Sequence, residues 1–248
     1  MDSTTQKGFR ILEKLAQSDT PRGISDLARE TDLTKSNIQR IIATLCDLGY
    51  AEKDIHSNRY FATMRMWEIG LPVLMRNRIL RAARSSLKAL RVACDETIIL
   101  CIRDGFELVY IERMESVTPI RLSGAVGTRL PMYSTAAGRA MAGFLEPDEQ
   151  RELIALSETA TERLVFDLRK RLSEVHEQGY EMSEGYFRPG INSIAVPIWD
   201  EKGQVAGALA ISGPAERLPE ERLKAFLPTI MDSASKVSAG LGYAGGHA

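Results

Sequence analysis

From Thr34 to Arg40 the chain reads Thr-Lys-Ser-Asn-Ile-Gln-Arg, a run rich in side chains that can reach a base edge or a phosphate. Asn and Gln amides pair bidentately with adenine, Arg and Lys with guanine, and short hydroxyls with phosphates or either type of base. If Ile38 and Ile41 turn inward, Lys35, Ser36, Asn37, Gln39 and Arg40 share the outer face of a helix that Thr34 is placed to cap. That is the division a DNA-reading helix needs, with polar groups near its N-terminus and an apolar face against its neighbour. A polar face that only meets water would read the same in this run alone, so the choice rests on the surroundings.

Other reactive residue types are scattered. His56, His176 and His247 fall in a predicted turn, a predicted helix and a terminal tail, with no nucleophile motif or metal-ligand spacing near them. Cys46, Cys94 and Cys101 are odd in number and form no C-x-x-C pair, which argues against a disulfide framework or a zinc knuckle and leaves free thiols. Glu181 and Glu184 lie close together but find no matching partner elsewhere, and neither GxxxxGK[ST] nor GxGxxG occurs. The expectation is no metal, no cofactor and no enzymatic activity.

The elements that must hold the polar run are short helices. Residues 7–17 carry Phe9, Ile11, Leu12, Leu15 and Ala16 at the spacing of one buried helical face, stopped by Pro21, Arg22 and Gly23. A second helix fits 25–30, with Ser25 as its N-cap and Ile24, Leu27 and Ala28 inward; a third follows Thr34, with Ile38, Ile41, Ile42 and Leu45 as its stripe. The tight connection between the last two makes a helix-turn-helix. Gly49 ends the third helix, and 50–53 and 59–62 read as two strands around a polar turn, a wing that carries Arg59. Residues from 64 to about 93 are helical again, and Pro72 predicts one helix ending near Gly70 and another starting near Arg78.

Beyond this, 97–103 and 107–113 are β-rich runs joined by Asp104-Gly105, a hairpin signal. Further strands are expected at 119–122, 193–199 and 205–212, and helices at 136–145, 147–156, 167–178 and 219–241. The fold class is therefore mixed α/β: a winged helix-turn-helix over 1–63, a linker helix over 64–78, and an α+β domain with a largely antiparallel sheet over 79–248.

With 248 residues, 44% of them hydrophobic, the chain has room for a core in each of two domains. Its net charge of -1 does not of itself favour nucleic acid. The balance that matters is local: between 34 and 65, Lys35, Arg40, Lys53, Arg59 and Arg65 outnumber Asp47, Glu52 and Asp54. No apolar run is long enough to span a bilayer, and the first residues lack the pattern of a secretory signal, so a cytoplasmic protein is expected.

The stretch LARETDLTKSNIQRIIATLCDLGY, followed by RYF, resembles the winged head of the IclR family of bacterial transcriptional regulators. The family pattern falls on Leu27-Ala28, Asp32, Ser36-Asn37, Arg40, Thr44-Leu45 and Gly49-Tyr50; Asn37 departs from the usual Thr and Asp32 from the usual Gly. The stretches GTRLPMYSTAAGRA (127–140) and GYEMSEGYFRPGINSIAVPIWDEKGQVAGALAISG (179–213) are similar to the family's effector-binding domain, so the resemblance covers nearly the whole chain.

This resemblance implies a GAF-like sensor domain with a cavity for small organic acids or aromatic compounds. Carried over position by position, it places Leu122 and Leu130 as walls, Ala136 and Ala137 at a helix start whose N–H groups suit a carboxylate, and Ser183, Ser193, Ala210 and Ser212 against the ligand. Ser193 replaces a frequent Cys, Ala210 a Ser, Ser183 an Asp, Tyr186 a usual Glu, and Trp199 a usual Phe, Tyr or His. The lost polar partners predict a less demanding pocket, for an acid with an apolar or aromatic body and one carboxylate. The DNA-binding set is then Ser25, Thr34, Lys35, Ser36, Asn37, Gln39, Arg40 and Arg59. The expected partners are a palindromic double-stranded operator, a small-molecule effector and further copies of the chain, as a homodimer or tetramer, with no membrane. The implied role is a ligand-responsive regulator of a catabolic operon, repressor or activator.

Overall fold

Ile11, Leu12 and Leu15 lie on one face of helix α1 (Ser3–Ala16), Leu27 on α2 (Ile24–Thr31), and Ile38, Ile41, Ile42 and Leu45 on α3 (Lys35–Asp47). These side chains meet in one core that strand β1 (Ala51–Lys53) closes through Ala51. Strand β2 (Tyr60–Ala62) pairs antiparallel with β1, and Arg22 bridges to Tyr60 from the other side. The predicted helix-turn-helix and wing are thus present, with three local corrections. Phe9 and Ala16 point to solvent, because a short helix packed on two others needs only a narrow apolar stripe. Ser25 is not the cap of α2: Gly23 takes that place without a side-chain hydrogen bond, and Ser25 lies within the first turn. Arg59 lies just before β2 rather than on it.

Helix α4 (Arg65–Met75) runs through Pro72 instead of ending near Gly70. Proline removes one N–H donor, but none of the residues of α4 is buried, so water can take the carbonyl that this leaves. The chain divides into two compact units, Met1–Met75 and Arg76–Ala248. The computed structural model describes residues 3–116, 124–160 and 166–245; the expected strand at 119–122, with Leu122, and His247 lie outside them.

In the larger unit, Asn77 caps α5 (Arg78–Ala93) by accepting from the N–H groups of Ile79 and Leu80 at 3.0 and 3.1 Å. The hairpin of β3 (Thr97–Asp104) and β4 (Glu107–Met114) turns at Gly105, whose φ of 63° suits a residue without a Cβ. There follow β5 (Arg129–Pro131), a single 3-10 turn (Met132–Ser134), α6 (Ala136–Ala142), α7 (Pro147–Glu158), α8 (Leu168–Gln178), β6 (Glu181–Glu184), β7 (Ile191–Trp199), β8 (Val205–Pro214) and α9 (Glu220–Gly240). The strands form one antiparallel sheet in the order β5-β4-β3-β8-β7-β6.

Alternation divides the two faces of the sheet. Ile98, Leu100, Ile194, Val196, Leu209 and Ile211 are buried on the face that α5 and α9 cover. Ile99, Cys101, Ala195, Ala208 and Ala210 turn the other way, into a core shared with α6, α7 and α8. The small side chains on that second face let α6 lie close to the sheet. At Gly138 a Cβ would stand 2.1 Å from the Met132 carbonyl oxygen, so only glycine permits the approach.

Candidate functional site

In the head, Thr34 caps α3 by accepting the Asn37 N–H at 3.3 Å and lies 3.1 Å from the Ser36 hydroxyl. Asp32 supports the turn before it with φ 56° and ψ 38°, the left-handed conformation where glycine is usual and Asp is among the better tolerated substitutes. A Schellman pair ends α3, with the Tyr50 N–H on the Leu45 carbonyl at 2.8 Å and the Gly49 N–H on that of Cys46 at 2.9 Å. Between these caps Lys35, Ser36, Gln39 and Arg40 are exposed on one face and Asn37 is half-buried, while Ile38 is fully buried. The exposed side chains can meet base edges without disturbing the core. Ser25 is exposed at the start of α2. Arg59 is tied inside the head, 3.2 Å from Asp26 and 3.3 Å from the Pro21 carbonyl, so it braces the wing against α2.

In the larger unit, a cavity of about 280 Å³ opens between the sheet and α6. Six of the eight residues expected to meet an effector line it, namely Ala136, Ala137, Ser183, Ser193, Ala210 and Ser212. Strand register explains the meeting: Ser183 stands opposite Ser193 and Ser193 opposite Ser212, so the three hydroxyls cross β6, β7 and β8 on one face. Ser193 and Ser212 hydrogen-bond each other at 2.6 Å, and Ser212 also reaches the Asn192 carbonyl at 3.4 Å. Thr135 takes the Gly138 N–H at 3.0 Å, and the first-turn N–H groups of Ala136 and Ala137 precede the first intrahelical bond, from Arg139 to Thr135.

Leu130 is not a wall. It sits on β5, paired with Leu108 at the opposite end of the sheet from the serines, and packs against the hydrophobic core. In its stead Ile99, Tyr110, Thr135, Phe187, Arg188 and Pro189 contribute. Tyr110 and Ile99 come from the β3–β4 hairpin, and nothing in their local spacing marks them. Phe187, Arg188 and Pro189 lie within the second resembling stretch, in the loop between β6 and β7. Burial pushes the Tyr110 phenol up to about 12, with nearby Arg113 and Arg188 opposing the rise.

Behind the cavity, Arg139 of α6 is fully buried and donates to Glu181 at 2.7 Å and to the Tyr133 carbonyl at 3.1 Å. Arg171 donates to the other oxygen of Glu181 at 2.9 Å. The guanidinium of Arg139 lies 4.8 Å from the Phe166 ring and 5.9 Å from that of Tyr186. Glu181 is therefore the carboxylate of a structural knot joining α6, α8 and β6. His56 is exposed in the wing turn, and His176 packs on Phe144 with its Nδ1 3.0 Å from the Gly143 carbonyl. Cys94 and Cys101 are buried thiols, Cys46 is half-buried, and no cluster suited to a metal ion is found among the described residues.

A winged helix-turn-helix beside an α+β unit with a small cavity defines a DNA-binding regulator with a sensor domain. Residues 4–54 match the family described as the IclR helix-turn-helix domain, and residues 72–239 that described as bacterial transcriptional regulator IclR C-terminal. The chain belongs to the IclR family of bacterial transcriptional regulators. It is 32% identical over 246 residues to the HTH-type transcriptional regulator KdgR of Escherichia coli K12, covering 97% of this chain and 93% of that one. A solved structure of a putative transcriptional regulator from Rhodococcus sp. RHA1 superposes with a TM-score of 0.83 at 28% identity, over 97% of this chain and 98% of that one. An IclR homolog from Microbacterium hydrocarbonoxydans, solved with 4-hydroxybenzoate, shares the fold with a TM-score of 0.81 at 23% identity, over 96% and 99% of the two chains. The role is regulatory rather than enzymatic, with DNA as the macromolecular partner. No described helix is long and apolar enough to cross a membrane.

Proposed function

We propose that this regulator controls a catabolic operon from the cytoplasm, reading a palindromic operator with α3 and responding to a small organic acid, aromatic acids included, held in the cavity of its larger unit. The observation that carries this reading is the convergence of Ala136-Ala137, Ser183, Ser193, Ala210 and Ser212 from separate parts of the chain on one cavity. Its size suits a metabolite rather than a larger ligand. Apolar walls at Ile99, Ile191 and Phe187 would take the body, and the hydroxyls its polar atoms. The 4-hydroxybenzoate complex of the Microbacterium homolog supports an aromatic acid as one member of the class.

For DNA, Lys35, Ser36, Asn37, Gln39 and Arg40 would contact bases and phosphates, with Thr34 and Ser25 at the phosphate backbone. Arg59, half exposed while Asp26 holds it, would bring the wing to the phosphate backbone. The chain works as a dimer, or as a tetramer of two such dimers, because a two-fold protein doubles the readout of a palindrome. Helix α4 supports this pairing: Ile69 and Val73, one turn apart on one side, and Trp67 on another are all at least half exposed, apolar side chains that a second copy would cover. The test is a gel-shift with DNA upstream of the chain's own gene, with and without aromatic and short aliphatic acids. The expected result is specific retardation that at least one acid changes; turnover of the acid by purified protein, or no retardation, would contradict the proposal.

A further inference from the structure

The sheet wall of the cavity carries hydroxyls on four strands, and their states differ. Ser193 on β7 and Ser212 on β8 hydrogen-bond each other at 2.6 Å. Ser183 on β6 and Tyr110 on β4, at the two ends of this wall, have no hydrogen-bond partner for their hydroxyls among the described residues. Tyr110 is 7% exposed and belongs to the hydrophobic core on that face, where a phenol O–H ordinarily finds a partner. The residue is firmly placed. Its N–H donates to the Thr128 carbonyl at 3.0 Å, and its own carbonyl accepts the Gly127 N–H at 2.8 Å. A Cβ at Gly124 would come within 3.5 Å of the ring, so the backbone there lies against the flank of the phenol. Burial keeps the hydroxyl protonated up to about 12, which leaves a neutral donor and acceptor throughout the physiological range.

Position separates this hydroxyl from the serines. The wall runs β6-β7-β8-β3-β4, with the apolar Ile99 of β3 between Ala210 of β8 and Tyr110. Strands lie about 4.8 Å apart, which puts the backbone of β4 about 10 Å from that of β8. We propose that Tyr110 is the specificity-determining residue that makes this cavity select acids with an oxygen on the body, its phenol hydrogen-bonding a hydroxyl or carbonyl oxygen across Ile99 from the serines. This rests on the reading that the cavity holds an organic acid, and it leaves the carboxylate at the start of α6. An oxygen at that place gives the phenol the partner that the protein does not supply. A purely hydrocarbon body would cover the phenol and leave it unpaired, and discrimination follows from that cost more than from the bond itself. The class selected is hydroxy and oxo acids, aromatic or aliphatic, over their unsubstituted analogues.

Titration calorimetry on the full chain with acids that differ only in that oxygen tests the assignment: 4-hydroxybenzoate and 3-hydroxybenzoate against benzoate, 4-oxopentanoate against pentanoate, and 6-hydroxyhexanoate against hexanoate. The wild type should bind at least one oxygenated acid about tenfold or more tighter than its analogue. Tyr110→Phe, which keeps the ring and its packing, should bring that pair within about threefold by weakening the oxygenated acid, with the unsubstituted one unchanged or tighter. Ser183→Ala should keep the preference. Suppose that Ala210→Phe, which fills the cavity, abolishes binding, yet the wild type shows no preference, or its preference survives Tyr110→Phe or is lost in Ser183→Ala. The acid then sits in the cavity, and the role of Tyr110 is overturned. If no acid binds the wild type, or Ala210→Phe leaves binding intact, the cavity reading falls and the role of Tyr110 falls with it.

Discussion

Arg139 carries its charge where water does not reach, and the residues around it show how the sensor unit tolerates this. Glu181, equally buried, supplies the opposite charge, the Tyr133 carbonyl accepts another N–H, and Phe166 and Tyr186 present ring faces to the cation. Tyr186 stands where the family resemblance leads one to expect Glu, and its ring lies 5.9 Å from the Arg139 guanidinium and 5.6 Å from that of Arg171. Glu181→Gln should destabilise the larger unit by about 3–5 kcal/mol, because it leaves a buried guanidinium without its counter-charge. Urea unfolding of the full chain measures this, and a loss under about 1 kcal/mol would show that the aromatic rings suffice. At Tyr110, burial favours the neutral phenol and raises its pKa to about 12. The stability tied to that proton is fully present below the unfolded value near 10 and is lost as pH climbs from about 10 towards 12. Tyr110→Phe should flatten that alkaline decline in the urea midpoint, whereas an unchanged profile would assign the decline to other groups. In the head, Arg40 is exposed and sits on α3 beside Gln39. Arg40→Ala should weaken operator binding about tenfold or more, the usual worth of a base contact, without altering acid affinity. Unchanged anisotropy titrations would remove Arg40 from the interface.

Among the elements, α3 is the one whose sequence and structure agree at every level. Thr34 caps it, Ile38, Ile41, Ile42 and Leu45 bury one face, and Gly49 closes it in a Schellman pair. Such agreement is what makes a helix legible before its structure is known. Where the reading failed, the element was short or the decision was not local. Strands β5 and β6 span three and four residues at the two edges of the sheet, too few for a period of two to stand out. Pro72 predicts a break that α4 does not show, because an exposed helix can pass the freed carbonyl to water. Helix α4 is also the element with the clearest unmet demand, apolar and without a buried residue. The double substitution Trp67→Glu with Val73→Glu should shift the chain from dimer towards monomer in sedimentation velocity while the head keeps its helical circular dichroism. A dimer of unchanged stability would place the contact elsewhere.

At the scale of the whole molecule, two units with separate cores divide the work of reading DNA and sensing a metabolite. The polar face of α3 was visible in sequence, yet it drew its meaning from resembling stretches more than eighty residues away. The cavity was legible only in part. Its serines and alanines lie in those stretches, but Tyr110 and Ile99 reach it through the pairing of β3 with β4 and β8, a tertiary fact that local spacing does not carry. Leu130 failed for the converse reason, since it lies in a resembling stretch but on the wrong edge of the sheet. A sensor coupled to a reader obeys linkage: an acid changes operator affinity only if it binds one DNA-binding state better than the other, and operator must then change acid affinity by the same factor. Fluorescence anisotropy on DNA upstream of the chain's own gene, titrated in the absence and presence of each saturating acid, tests that coupling directly. The account predicts that one acid shifts the operator Kd about fivefold or more, and that Ser212→Leu, which fills the sheet wall, loses the shift. An operator Kd that no acid moves, or a shift that survives Ser212→Leu undiminished, would contradict it.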